Sequence, residues 1–225
     1  MAKNKKREDG FKDVEETLTR TEQFLENHLN LVLYVIVGII IVILGFLGIQ
    51  RFHIAPKNVE AQEQMFQAQI HFSNDNFELA LNGDGMSLGF LDIIDDYSRT
   101  KAGKLSRYYA GISYLHLGEY ELAIDYLSKF KTKDILLSPL KQSAIGDAHV
   151  ELGNYKRAIS AYNNALKQND NNLTTPFIMS KLALVHEAEG DKQKALEILK
   201  DIRKEYPNNT DAVNVEKNIA RLQQK

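Results

Sequence analysis

Residues 104–137 read KLSRYYAGISYLHLGEYELAIDYLSKFKTKDILL, and the fold follows from this stretch. Gly111 and Ala123 stand twelve positions apart, with the pair Gly118-Glu119 between them and Tyr120 directly after it. Two antiparallel helices can cross closely only where both carry little side chain, so small residues face each other across a turn. The turn needs a positive φ, which glycine adopts freely and Asn or Asp tolerate. Leu127 and Phe130 then fill the space toward a neighbour.

The same spacing recurs on both sides. Ala68 and Ala80 bracket Asp75-Asn76, Gly146 and Ala158 bracket Gly153-Asn154, and Ala183 and Ala195 bracket Gly190-Asp191. Phe77 and Tyr155 match Tyr120, whereas Lys192 departs from the pattern. From Gly118 to Gly153 is 35 residues and from Gly153 to Gly190 is 37, both near the ~34-residue period of one helical-hairpin repeat class. From Asp75 to Gly118 is 43, which predicts an insertion of about nine residues near Asn82-Gly83-Asp84-Gly85. A single hairpin cannot bury its own apolar face, so the hairpins must stack. Tyr162, Leu199 and Ile202 are placed to fill that stack, and Val215, Ile219 and Leu222 form the apolar face of a capping helix.

Proline supplies punctuation. Ser138-Pro139 and Thr175-Pro176 predict a hydroxyl N-cap followed by Pro at the first helical position. Pro207, after Lys204, Glu205 and Tyr206, marks a helix end that proline cannot extend.

Toward the N-terminus, residues 31–49 read LVLYVIVGIIIVILGFLGI without a charge or an amide. A helix of that run spans roughly 28 Å at 1.5 Å per residue, close to a hydrocarbon core. Only a helix can place so much backbone in lipid, because its polar groups bond internally. The residues after Ile49 lack a small-x-small cleavage site, so the run predicts an uncleaved anchor. Lys3, Lys5, Lys6, Arg7, Lys12 and Arg20 precede it, and this basic bias predicts a cytoplasmic N-terminus with the rest outside. Gly38 and Gly45, seven apart with Gly48 nearby, offer a face for helix–helix approach. Phe11, Val14, Leu18 and Leu25 share one side of a helix in the tail, while Asp13, Glu15, Glu16, Glu22 and Glu26 cover the rest of it.

The expected fold class is therefore all-α: a tail at 1–30, a transmembrane helix at 31–49, a linker at 50–60, an α-solenoid of repeats at 61–209 and a capping helix at 210–225. Composition removes several functions. The chain has no cysteine, which excludes thiol nucleophiles, disulfides and cysteine-held metal centres. Its formal net charge is −2, without the basic excess that nucleic acid requires. Lys129, Lys131 and Lys133 read as a solvated loop, Asp84 as turn chemistry, and Asp92, Asp95 and Asp96 as a helix face without a histidine partner. His71, His149 and His186 recur at the register of Tyr114 and read as structural. No catalytic residue, cofactor or metal site is expected.

Gly111, Tyr114, Gly118, Tyr120, Ala123 and Leu127 fit the consensus of the tetratricopeptide repeat family, which residues 60 to 210 resemble. The arrangement of short tail, single anchor and outward repeat domain is similar to the ancillary subunit family of the bacterial SecYEG translocon. That resemblance implies an inner-membrane protein with a periplasmic domain that helps pass exported proteins to chaperones. Partners would be proteins or peptides: a translocon, a chaperone or an exported client. The alternatives are a self-associating envelope scaffold, that is a homo-oligomer, or an accessory domain of an enzyme elsewhere. The first helices of the repeats would line a groove through Leu105, Tyr108, Ile112, Leu115, Asp147 and Leu184. Family members that clamp a terminal carboxylate carry Lys, Asn and Arg there. Tyr108, Ile112, Ser143, Asp147, Ser180 and Leu184 stand in those places, so the resemblance does not extend to that clamp.

Overall fold

The computed structural model describes residues 28–49, 51, 55–208 and 212–224. The tail with Phe11, Val14, Leu18 and Leu25 lies outside the described residues. The chain divides into two units, Met1–Pro56 and Lys57–Lys225. All regular structure among the described residues is helical.

In the first unit the regular element is α1 (Leu29–Ile49), 21 residues with no buried side chain. Tyr34, Ile41, Val42, Leu44 and Phe46 are all exposed, the reverse of a soluble core helix. α1 is an N-terminal apolar helix with the length and composition of a membrane anchor or a signal sequence.

The second unit begins within α2 (Ala55–Ser73) and continues through α3 (Phe77–Asn82), α4 (Phe90–Asp96), α5 (Lys101–His116), α6 (Tyr120–Lys129), α7 (Leu137–Glu151), α8 (Tyr155–Leu166), α9 (Thr174–Ala188), α10 (Lys192–Glu205) and α11 (Ala212–Gln223). Each predicted turn occurs, with Gly118, Gly153 and Gly190 at φ +82°, +69° and +91° and Asp75 at +59°. The turns close alike: the amides of Asn76, Glu119, Asn154 and Asp191 donate to the carbonyls of His71, Tyr114, His149 and His186. This six-to-one bond satisfies a carbonyl that the helix end would orphan.

Small residues cross where expected. A Cβ built on Gly111 would lie 2.5 Å from Leu127 Cγ, and one on Gly146 would lie 2.5 Å from Tyr162 Cε1. The insertion takes a definite form. The second helix of the first hairpin breaks after Asn82, and α4 resumes it at Phe90. Asp84 Oδ1 pins the connecting loop by accepting from Ser87 Oγ at 2.8 Å, Ser87 N at 2.7 Å and Met86 N at 2.9 Å. Those donors, the Ser87 hydroxyl first, hold the Asp84 carboxyl well below the usual range.

The prolines depart from the sequence expectation. Helix α7 starts at Leu137 and α9 at Thr174, so neither Ser138 nor Thr175 is the N-cap. Asp134 Oδ1 accepts from the amides of Leu136 and Leu137, and Asn171 Oδ1 from those of Leu173 and Thr174. An Asx side chain three residues earlier thus starts each helix. Pro139 and Pro176 fall third in their helices, where an amide would still have no intrahelical partner.

The core forms two clusters. One joins Ala61, Met65, Ala68, Phe90, Ile93 and Ala110; the other runs from Ala158 and Tyr162 through Ile178 and Ile202 to Val215 and Ile219. Helix α11 covers the last hairpin with Val215 and Ile219, 2% and 3% exposed, while Arg221 forks onto the Glu187 carboxylate. Replacing Ile219 by Ala should cost about 2–5 kcal/mol, the usual range for a buried Ile-to-Ala truncation. Because each repeat stabilises mainly its neighbours, hydrogen exchange should rise in α10 and α11 with α5 and α6 unchanged; uniform loss of protection would contradict this.

Candidate binding groove

The first helices of successive hairpins stand side by side, α5 packing on α7 and α7 on α9, and so form one wall. At its start, α2 and α5 leave a cleft of about 330 Å³. Met65, Ala102 and Leu105 give it an apolar floor, and Asn58, Gln62, Gln69 and Lys101 a polar rim. Asn58 Oδ1 accepts from the Lys101 amide at 2.9 Å, and Gln69 Nε2 donates to the Tyr109 hydroxyl at 3.2 Å.

Leu105, Tyr108, Ile112 and Leu115 lie along one face of α5, and all four are half-buried. The Tyr108 ring centroid is 5.5 Å from Phe130 and 6.1 Å from Tyr109. Burial pushes its phenol above the usual value, with the neighbouring Tyr109 a smaller cause. Leu105 packs on the core of the first hairpin, as does Tyr109, stacked on Phe90 at 5.0 Å and edge-on to Phe72 at 5.0 Å.

Asp147, from α7, is not a free groove carboxylate. Its Oδ1 accepts from the Tyr162 hydroxyl at 2.7 Å, and its Oδ2 lies 2.6 Å from Lys181 Nζ of α9. Lys181 Nζ also stands 4.5 Å from the Phe177 ring centroid. Phe177 and Leu184, 47% and 52% exposed, are the open apolar groups at this end. The structure therefore gathers the predicted residues in two places, apolar on α5 and mixed where α7 meets α9. Sequence reasoning passed over Met65, Gln62, Gln69, Phe177 and Lys181. Their register relative to Ala68 and Ala183 would have found them, since they occupy the same helix faces.

The histidines at the turn register donate no chemistry to this groove. His149 Nδ1 is buried without a hydrogen-bond partner, and desolvation, then Arg157, lowers its pKa. His71 Nε2 stands 3.6 Å from Asp84 Oδ2, outside the groove wall. No group of three His, Cys, Asp or Glu suited to a metal ion occurs among the described residues.

Two tetratricopeptide repeat family models match the chain, one over residues 143–210 and one over residues 105–134. A TPR repeat-containing protein of Methanocaldococcus jannaschii is 26% identical over 155 residues, which is 68% of this chain and 26% of that protein. The chain thus spans about a quarter of that relative's length. Among solved structures, the MamA protein matches with TM-score 0.56 at 18% identity, covering 73% of this chain and 81% of that one. The nearly identical TPR-like repeats assigned to a kinesin light chain of Podosopora anserina match with TM-score 0.60 at 14% identity, covering 76% and 88%. At such identities the likeness is one of fold. Family models, a repeat-containing relative and the backbone of solved repeat proteins together support tetratricopeptide repeats in this chain, a fold that serves as a scaffold for protein interaction.

Proposed function

We propose that the protein is a membrane-anchored scaffold whose repeat groove holds an apolar segment of another protein during export or envelope assembly. α1 spans the bacterial inner membrane, the N-terminus is cytoplasmic, and the repeats stand in the periplasm beside a translocon, chaperone or exported client. One observation carries the reading: a helix of 21 residues without a buried side chain is followed by a repeat unit whose inner wall keeps Leu105, Tyr108, Ile112 and Leu115 partly open. Apolar groups left on a groove of this kind favour an extended or helical peptide. Asp147 and Leu184 extend the surface, with Asp147 acting through Lys181.

A photoreactive amino acid at Tyr108 should crosslink client or translocon proteins in cells, while the same group at exposed Asn164 on α8 should not. Equal labelling at both positions would defeat the groove. A reporter fused after Lys225 that works only outside the cytoplasm should be active; silence would reverse the orientation. The second reading, a self-associating envelope scaffold, is favoured by Gly38 and Gly45, seven residues apart on α1 with Gly48 nearby, since small residues on one face let helices approach. Native copurification that recovers only this chain would select it.

A further inference from the structure

Counted from the small residue at each crossing, Val59, Glu63, Phe66 and Ile70 of α2 hold the register of Ala102, Ser106, Tyr109 and Ser113 of α5. On α5 that face is covered by the first hairpin. Ala102 lies in its core cluster, Tyr109 packs against it, and Ser106 and Ser113 are fully buried. On α9 the same register holds Ile178 and Val185, both buried in the cluster with Tyr162. This is the face by which a first helix receives the hairpin before it. Among the described residues no hairpin precedes α2, and there the face stays open, with Val59 60% and Phe66 58% exposed and Glu63 exposed between them. A second open stripe runs along the groove wall of α9. Leu173, Phe177 and Leu184 are 60%, 47% and 52% exposed, with the small, half-buried Ser180 between the last two.

Both stripes advance by four, three and four residues, the spacing at which one helix seats its side chains between those of another. Run antiparallel, they match position for position: Val59 on Leu184, Glu63 on Ser180, Phe66 on Phe177 and Ile70 on Leu173. Glu60 then flanks Lys181. Run parallel, Glu63 would lie on Phe177 instead. We infer that a second copy of this chain lays its α2, antiparallel, on the α9 stripe of the first. All eight residues belong to the second unit, so the contact is argued from that unit alone. Within one copy α5 and α7 stand between the two helices. The nearby charges set direction more than strength: Glu60 already accepts from Tyr97, Lys181 pairs with Asp147, Glu187 is held by Arg221, and Lys57 lies near the start of α2. Each contact leaves one α2 and one α9 unused, so it is head-to-tail and extends into rings or filaments. The inference rests on the self-associating reading and moves its seam from α1 to the repeats.

The full chain contains no cysteine, so introduced pairs report single contacts. The test expresses the full chain with Val59→Cys and Leu184→Cys together, or Ile70→Cys and Leu173→Cys together, and oxidises it in place with copper phenanthroline. Each pair should give a ladder of covalent dimers, trimers and higher forms, because every copy links on both sides. Val59→Cys with Leu173→Cys stands eleven residues, about 16 Å, out of register and should give a ladder several-fold weaker. Adding Phe66→Glu at its exposed position should cut the matched ladders several-fold. Matched and mismatched pairs that link equally would overturn the inference, as would a stronger mismatched ladder, which reports parallel helices. Dimers from Val59→Cys or Leu184→Cys alone, as abundant as the ladders, would report a symmetric contact and overturn it too. If the matched pairs stay monomeric while Gly45→Cys dimerises, this seam fails and self-association through α1 stands. If none of them links, both fail. A photoreactive residue at Leu184 that labels other proteins but never this chain would assign the stripe to a client and overturn the inference.

Discussion

Gly103→Ala should lower stability by about 3 kcal/mol, at the upper end of overpacking costs, and the melting temperature by roughly 10 °C. Gly103 is buried in the first turn of α5, and a Cβ there would lie 2.1 Å from the Tyr97 carbonyl oxygen and 2.6 Å from its carbon. Neither atom can rotate aside. The same carbonyl accepts from the Thr100 hydroxyl at 2.7 Å, and Thr100 Oγ1 caps α5 by accepting from the Gly103 amide at 2.9 Å. Moving Tyr97 therefore breaks the cap as well, another ~1 kcal/mol. Gly111→Ala makes the informative contrast, because its two nearest neighbours are the Leu127 side-chain atoms Cγ and Cδ2 at 2.5 and 3.0 Å, and the closest backbone atom, Leu127 N, stands at 3.1 Å rather than 2.1 Å. A side chain can give way, and Ala68 and Ala183 already occupy the equivalent register. Thermal melts by circular dichroism should rank Gly103→Ala well below Gly111→Ala. The reverse order would show that the α4–α5 corner is softer than its geometry.

Tyr162 carries the other large effect. It is 2% exposed and among the largest fully buried side chains, so Tyr162→Ala should cost about 4 kcal/mol through cavity formation. Tyr162→Phe removes only the hydroxyl that donates to Asp147 at 2.7 Å. Asp147 keeps Lys181, so about 1 kcal/mol should be lost. The pair also separates packing from proton linkage. Burial first, then the Asp147 charge, raises the Tyr162 phenol far above its ordinary value. In the unfolded chain that phenol titrates near pH 10. Its contribution is complete below about pH 10 and drains away above it, because only the unfolded state releases the proton. Tyr206, pushed up to about 12 by burial and by its bond to Asp170, adds to the decline between about pH 10 and pH 12. Denaturant midpoints measured from pH 8 to 11 should fall less steeply in Tyr162→Phe than in the parent. Parallel curves would mean the phenol is not the linked group.

The hairpins were legible because their signals are local. A small residue, a turn residue and a second small residue lie within thirteen positions, and close helix crossing dictates all three. The break after Asn82 was legible as excess length, but not as a separate helix, since Phe90–Asp96 is too short to display a period. Helix starts were misassigned to Ser138 and Thr175 because hydroxyls before proline match the cap pattern. The carboxylate of Asp134 and amide of Asn171, four residues earlier, are better acceptors at each entry. In the groove, α5 could be read from its own face. The Asp147–Lys181 pair joins residues 34 apart in different hairpins, and no window of sequence shows that the two meet.

Each hairpin touches chiefly the hairpin before and after it, and this ordering has a kinetic consequence. Nothing early in the chain waits for a distant segment to complete its contacts, so the native state can be assembled in the order of synthesis. A partly emerged chain would expose only its newest hairpin's open side, which the following one seals, and α11 ends the series.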